Sequence, residues 1–140
     1  MRDAVKSDGH ADVVATLGRI RVVLVRTSLA ANIGASARAM YTMGLSRLVL
    51  VAPARFPSPD ATALASGATR VLDAATVVPT LDDALSRTRM SIGFTARPRE
   101  FAGRVMPLRA ASAAAVEAAS VADVALVFGT EMSGLSNDEL

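Results

Sequence analysis

The chain has 140 residues, 51% of them hydrophobic and 20% charged, which suits one globular domain with a buried core. It contains no cysteine, which excludes a disulfide framework and cysteine-ligated zinc, and its single histidine, His10, lies in a polar stretch where solvation is expected. No apolar run reaches the roughly 18 residues of a membrane span, and the amino terminus lacks the apolar core of a signal peptide. We therefore expect a cytoplasmic protein that neither enters a membrane nor binds a metal ion.

The basic residues are arginines with one exception, Lys6, and the net charge of +2 accompanies a sequence pI of about 9.9. The planar guanidinium of arginine suits phosphate groups, so this composition permits a polyanionic partner. A coding bias towards alanine and arginine explains the same numbers. The placement of arginines in loops is therefore the more informative test.

The first elements are predicted from periodicity and capping residues. Residues 1–18 mix polar and charged side chains without a clear period, which predicts a flexible leader before a folded domain at 19–140. Residues 19–25 are apolar and β-branched, as in a buried strand. A helix is predicted from Asn32, whose side chain suits the N-cap, to Met43.

The rest of the chain continues the alternation of strands and helices. The predicted elements are a strand at 48–51, a loop with three prolines at 52–59, a helix at 60–66, a strand at 75–78, a helix at 80–87 capped by Thr80, a strand at 90–94, an irregular arginine-bearing segment at 95–106, an alanine-rich helix at 107–120 and a strand at 124–128. This order predicts an α/β fold with a mostly parallel sheet and helices on both faces. Ligands of such sheets bind beyond the carboxyl ends of the strands, where the chain has loops at 26–31, 52–59, 95–106 and 129–135.

The end of the chain has the spacing of a capping box, S-x-x-E, at Ser136 and Glu139. This spacing predicts the first turn of a helix. Because the chain ends at Leu140, we expect a longer parent protein in which that helix continues.

A nucleotide-binding motif is missing from this α/β pattern. No G-x-G-x-x-G follows the first strand and no G-x-x-x-x-G-K-[ST] occurs, which argues against a generic nucleotide-binding domain. Instead, Asn32, Gly34 and Arg38 lie within two turns of a predicted helix start, where amides, helix dipole and guanidinium can bind a phosphate or a developing oxyanion. By itself the motif favours a plainer interpretation, in which Asn32 caps, Gly34 packs and Arg38 lies in solvent.

The loop after the last strand carries Gly129, Glu131 and Gly134. As a simple turn, its glycines would adopt positive φ and Glu131 would have no role. As a site, the glycines would let a flat ligand approach the backbone, and Glu131 would position an arginine or a ligand group.

Together these segments resemble a known family. The patterns Asn32-x-Gly34-x-x-x-Arg38 and Phe128-Gly129-x-Glu131-x-x-Gly134-Leu135, with the intervening segment 93–97, are similar to motifs of the SpoU/TrmH family of RNA ribose 2′-O-methyltransferases in the SPOUT superfamily. Their order and spacing most resemble the TrmJ branch, which methylates tRNA in the anticodon loop. The resemblance covers residues 19–140.

The resemblance implies a fold, a cofactor and partners. The fold would be the SPOUT α/β domain, whose C-terminal segment ties a trefoil knot and holds S-adenosylmethionine between the subunits of a homodimer. The substrate would be tRNA, or rRNA as an alternative. The third motif of the family, rich in Ser, Leu and Asn, is expected after Leu140, so we expect this chain alone to bind the cofactor weakly or not at all.

The resemblance also implies site residues, and no metal is among them. The catalytic residues would be Arg38 at the reacting ribose, with Asn32 and Glu131 in support. The cofactor-binding residues would be Phe94, Thr95, Ala96, Gly129 and Gly134. The RNA-binding residues would be Arg38, Arg97 and Arg99. The alternative from another class is a non-catalytic RNA-binding or dimerisation module with the same fold.

Overall fold

The computed structural model describes residues 2–95 and 104–140, with side chains described from residue 9 onward. A sheet of five parallel strands has the order β3-β2-β1-β5-β4. The strands are β1 Ile20–Val25, β2 Arg47–Val51, β3 Thr76–Val78, β4 Met90–Phe94 and β5 Val124–Phe128. The helices are α1 Arg2–Gly18, α2 Ala30–Thr42, α3 Pro59–Ala65, α4 Thr69–Asp73, α5 Leu81–Ala84 and α6 Leu108–Ala119, and 3-10 turns lie at Ser66–Ala68 and Asn137–Glu139.

The sheet is built around β1, which pairs with β2 on one side and β5 on the other. Its side chains are buried on both faces, as its β-branched and largely apolar sequence predicts, and the one charged residue of the strand, Arg21, is buried as well. Val22 and Leu24 pack with α2, α3 and α4, whereas Val23 and Val25 pack with α5 and Leu135. The expected α/β fold with a parallel sheet and helices on both faces is confirmed.

A third cluster lies at the amino end of the sheet, where α6 covers Ile20 and Val124. Leu17 of α1 packs against the same cluster. Residues 2–18, predicted as part of a flexible leader without a clear period, form the helix α1 in the structure. Its sequence contains no proline and several alanines, so the helix forms without the apolar stripe that periodicity detects. The domain boundary at residue 19 stays a prediction.

Helix ends differ from the predictions in three places. The predicted helix at 60–66 is continued by a 3-10 turn and α4. Thr80 does cap α5, since its Oγ accepts from the Asp83 N–H at 3.1 Å, but that helix ends at Ala84. The capping box of Ser136 and Glu139 is present, and it starts a 3-10 turn.

Candidate active site

The loops after β1 and β5 lie side by side at the carboxyl edge of the sheet, because these strands are parallel neighbours. Glu131 joins the two loops. Its Oε2 accepts from the N–H and the Oγ of Ser28, at 3.0 and 2.8 Å. Its Oε1 accepts from the Leu29 N–H and from Nδ2 of Asn32, both at 3.1 Å. One carboxylate thus satisfies donors at the start of α2.

These hydrogen bonds set the charge of Glu131. Partial desolvation raises the pKa of Glu131, but hydrogen bonds from Ser28, from its own backbone and from Asn32 outweigh it and lower the pKa to about 2. The carboxylate is therefore ionised at neutral pH. It neutralises the positive end of α2 and is a poor general base.

Asn32 does not cap α2, so that prediction is wrong. The helix begins at Ala30, and Leu29 in the N-cap position makes no side-chain hydrogen bond. Asn32 lies in the first turn and donates to Glu131 instead. The capping role passes to a carboxylate from another loop, a contact that local sequence does not reveal.

Gly34 is needed for helix packing. A Cβ at this position would clash with the backbone carbonyl of Ala61, because α3 crosses α2 at this point. The plainer interpretation of Gly34 as a packing residue is therefore confirmed.

The loop at 129–135 is closed on itself. A Cβ at Gly129 would clash with the backbone of Gly134 and Leu135, and the Gly134 N–H donates to the Thr130 carbonyl at 2.9 Å. Leu135 is 1% exposed and anchors the loop in the core. Gly134 has φ 67°, and a Cβ there would meet no atom within 4 Å. Gly129 thus serves the loop's own packing, whereas the space beside Gly134 is open among the described residues.

An aromatic pair lies where β4 and β5 end. Phe94 and Phe128 are register partners, and their rings stack with centroids 4.5 Å apart and planes 2° apart. Phe128 is 37% exposed. The next residues along the two strands, Thr95 and Gly129, are also at this edge, so the described residues of the predicted cofactor site lie together.

A groove of about 560 Å³ runs along α2 on one face of the sheet. Its floor and wall are apolar, whereas Thr27, Asn32 and Glu131 line its polar end. The apolar lining includes Val22, Leu24, Leu126, Phe128, Met40 and Met43. The sequence alone does not predict this groove, because the apolar pattern of a strand does not show how closely the neighbouring helices cover it.

The family model described as the SpoU rRNA Methylase family matches residues 19–140. The chain belongs to this family. The resemblance drawn from the two motifs is therefore confirmed.

Relatives of this SpoU-family chain carry more specific names. It is 52% identical over 125 residues to the tRNA (cytidine/uridine/adenosine-2'-O-)-methyltransferase TrmJ of Pseudomonas aeruginosa, a match that covers 89% of this chain and 49% of that protein. The crystal structure of TrmJ from Z. mobilis ZM4 superposes with a TM-score of 0.80 at 39% identity, over 84% of this chain and 52% of that chain. The chain thus spans about half the length of the curated relatives it matches.

A more distant solved structure is similar in fold. The SpoU methyltransferase AviRb from Streptomyces viridochromogenes, in complex with the cofactor AdoMet, has a TM-score of 0.54 and 18% identity over 84% of this chain and 45% of that chain. At this identity the likeness concerns the fold alone.

Arg38 of this SpoU-family chain lies apart from Asn32 and Glu131. It is exposed on α2, six residues after Asn32, which is about 9 Å along the helix and about 240° around it. Its guanidinium makes no hydrogen bond or ion pair with the described residues. Within a single chain, Asn32 and Glu131 are therefore in contact, whereas Arg38 does not contact either of them.

A second carboxylate also joins the loops, and sequence analysis missed it. Nη2 of Arg26 lies 3.0 Å from Oε1 of Glu139, which also accepts from the Ser136 N–H at 2.7 Å. Burial raises the pKa of Glu139, but the hydrogen bonds from Ser136 and the guanidinium of Arg26 hold this pKa below its ordinary value. The segment after β5 is thus tied to the end of β1 as well as to α2.

The remaining predicted site residues, Ala96, Arg97 and Arg99, lie outside the described residues. Within the described part of the chain, no group of three or more His, Asp or Glu side chains is arranged to hold a metal ion. Among those same residues, no helix combines the length and the apolar character of a membrane span.

Proposed function

We propose that the chain is the SpoU-type catalytic domain of an RNA methyltransferase that transfers a methyl group from S-adenosylmethionine to a ribose 2′-hydroxyl of tRNA, in the anticodon loop. The observation that supports this most is the contact of Glu131 with Ser28, Leu29 and Asn32, which joins the two motif segments at the ligand-binding edge of the sheet. The TrmJ names of relatives at 45–52% identity indicate the substrate class. A cytoplasmic location fits a substrate of this kind.

The ends of β4 and β5 suit the methyl donor. The exposed ring of Phe128, stacked on Phe94, offers an apolar surface to an adenine, and the open space beside Gly134 lets a ligand reach the backbone. Phe94, Thr95, Gly129 and Gly134 would hold S-adenosylmethionine, which supplies an electrophilic methyl group on a sulfonium. Ala96 would complete this set.

The protein's task in such a reaction is alignment and charge stabilisation. Glu131 is a positioning residue, since its oxygens are engaged by the start of α2 and it stays ionised. Arg38 has a planar guanidinium without a partner among the described residues, and it would fix a phosphate of the target nucleotide while stabilising the 2′-oxyanion. An arginine is a poor base, so the hydroxyl proton would leave to water or phosphate. Arg97 and Arg99 would contact the RNA backbone.

A homodimer explains why Arg38 lies on a different side of α2 from Asn32. If α2 forms the interface, Arg38 of one subunit can face the Glu131 loop of the other. The exposed side chains of Tyr41 in α2 and of Met43, the residue that follows α2, suit such an interface, and Met43 is 70% exposed. We expect a dimer in sedimentation equilibrium and a monomer after Met43→Glu; a monomer for the unchanged protein would contradict this arrangement.

The test of the reaction is transfer of a labelled methyl group. The protein, expressed from its natural reading frame, is incubated with methyl-tritiated S-adenosylmethionine and unmodified tRNA, and the labelled nucleotide is mapped. Label in a 2′-O-methylribose of the anticodon loop is expected, with rRNA fragments as competitors. Preferred labelling of rRNA would replace tRNA as the substrate. Tight tRNA binding without transfer would support the non-catalytic RNA-binding module instead.

A further inference from the structure

The loop between β2 and α3, residues 52–58, has a backbone that is held in place at several points. The Ala54 N–H donates to the Thr27 carbonyl at 3.0 Å. Phe56 packs against the core cluster of α2, α3 and α4. Ser58 caps α3, where its Oγ accepts from the Asp60 N–H at 3.3 Å. The loop is thus a fixed part of the carboxyl edge.

The backbone where this loop begins is strained. Ala52 has φ 43°, and Arg26 has φ 51° at the matching position after β1. A left-handed conformation is unfavourable for any residue with a Cβ, and such residues concentrate at functional sites. The Arg26 N–H donates to the Val51 carbonyl, and the Ala52 N–H donates to the Val78 carbonyl. The backbone therefore leaves the sheet at matching positions after β1 and β2. The loop after β2 therefore lies beside the segment that precedes α2.

Arg55, between Ala54 and Phe56, is exposed and makes no hydrogen bond or ion pair with the described residues. The arginines with structural roles differ from it. At the amino ends of the strands, backbone carbonyls accept hydrogen bonds from Arg19, Arg21 and Arg47. At the carboxyl ends, the carboxylate of Glu139 accepts a hydrogen bond from Arg26. The Arg55 guanidinium thus lies on a fixed backbone near the carboxyl ends of the strands and has no partner in the described part of the chain. Such a group suits a phosphodiester.

We propose that Arg55 binds a backbone phosphate of the RNA substrate. This inference rests on the proposed function, because it assumes an RNA substrate at the carboxyl edge. Arg55 follows β2, whereas the predicted RNA contacts Arg97 and Arg99 follow β4, which lies three strand spacings away, or about 14 Å.

The test is the salt dependence of tRNA binding. A fluorescently labelled tRNA transcript is titrated with the protein at several KCl concentrations, and the binding constant is followed by anisotropy. Loss of one phosphate contact makes the slope of log K against log salt shallower by about 0.7–0.9. We expect this change for Arg55→Gln, with binding about 3-fold to 10-fold weaker at fixed salt, while Arg55→Lys keeps the slope. The matched control is Arg89→Gln, because Arg89 is an exposed arginine directly before β4, at the amino ends of the strands.

The outcomes separate this inference from the proposed function. If tRNA binds but Arg55→Gln and Arg89→Gln have equal affinities and slopes, Arg55 is not an RNA contact and the proposed function stands. If tRNA does not bind even at low salt, the RNA substrate is wrong and the inference fails with it. Equal losses for Arg55→Gln and Arg55→Lys would also overturn it, because a phosphate contact retains its charge in the lysine variant.

Discussion

Replacing Glu131 with Gln tests whether this carboxylate stabilises the start of α2. A glutamine has nearly the same shape but only one acceptor oxygen. Its NH₂ group would face either the Ser28 N–H or the Leu29 N–H, so one backbone donor loses its partner. The variant also removes the negative charge from the positive end of the helix.

The magnitude follows from these two losses. A hydrogen bond to a charged group contributes about 1.5–3 kcal/mol, and we take the low end because Glu131 is exposed. The attraction between a charge and a helix end adds about 0.3–1 kcal/mol. We therefore expect Glu131→Gln to lower the free energy of unfolding by about 2 kcal/mol.

The pH dependence provides a second measure. Because the pKa of Glu131 is lowered to about 2 in the fold, its contribution is complete above its ordinary value of 4.5 and is lost as the pH falls towards 2. The difference in stability between the unchanged protein and Glu131→Gln should therefore shrink between pH 5 and pH 2. Solvent screening of the exposed carboxylate will make this loss smaller than the shift alone implies.

The assay is urea denaturation followed by circular dichroism at pH 7 and pH 3. Glu117→Gln is the control, since Glu117 is exposed on α6 and its carboxylate has no hydrogen bond among the described residues. If Glu131→Gln and Glu117→Gln unfold at the same urea concentration, the carboxylate does not stabilise α2. An unchanged stability difference at pH 3 would refute the explanation from ionisation.

The other predictions concern packing, a buried charge and the reaction. Gly34→Ala should lower the free energy of unfolding by about 2 kcal/mol or more, because the new methyl group meets the backbone of α3, whereas Gly67→Ala, with open space around it, should change little in the same urea assay. Arg21→Ala should lower the free energy of unfolding by about 1–3 kcal/mol, because it leaves the buried carbonyl of Ala84 without its donor, whereas Asp123 keeps its ion pair with Arg47. Exposed Arg47→Ala should lower it by under about 1 kcal/mol, and equal losses would contradict the difference in burial between the two arginines. Arg38→Lys should abolish most methyl transfer without changing the melting temperature, since an ammonium cannot reproduce the guanidinium fork, and near-normal turnover would exclude that role.

The sequence predicts this fold well where local chemistry decides the structure. The β-branched run of β1, the Thr80 cap and the alternation of strands with helices all lead to the observed parallel sheet. α1 was missed because it is a largely polar helix whose stability includes contact with α6, and contacts of this kind leave no period in the sequence.

The site is predictable only in part, because its key contacts join residues far apart in the chain. The motif patterns brought Asn32 and Glu131 into one hypothesis, but a capping role for Asn32 was the natural local interpretation. Only the fold reveals that Glu131 fills that role from about 100 residues away. The pairing of Arg26 with Glu139 has the same origin, since nothing near either residue predicts the other.

The two backbone amides bound by Glu131 link the opening of one loop to the opening of the other. The Ser28 and Leu29 amide hydrogens are bound by a carboxylate on a different segment, so their exchange with solvent requires that the Glu131 carboxylate leaves them. Their hydrogen-exchange rates therefore measure how often the Glu131 contact between the two motifs opens. A ligand that contacts both loops would lower the exchange rates of both amides together. The exchange of these two amides would therefore report ligand binding between the loops.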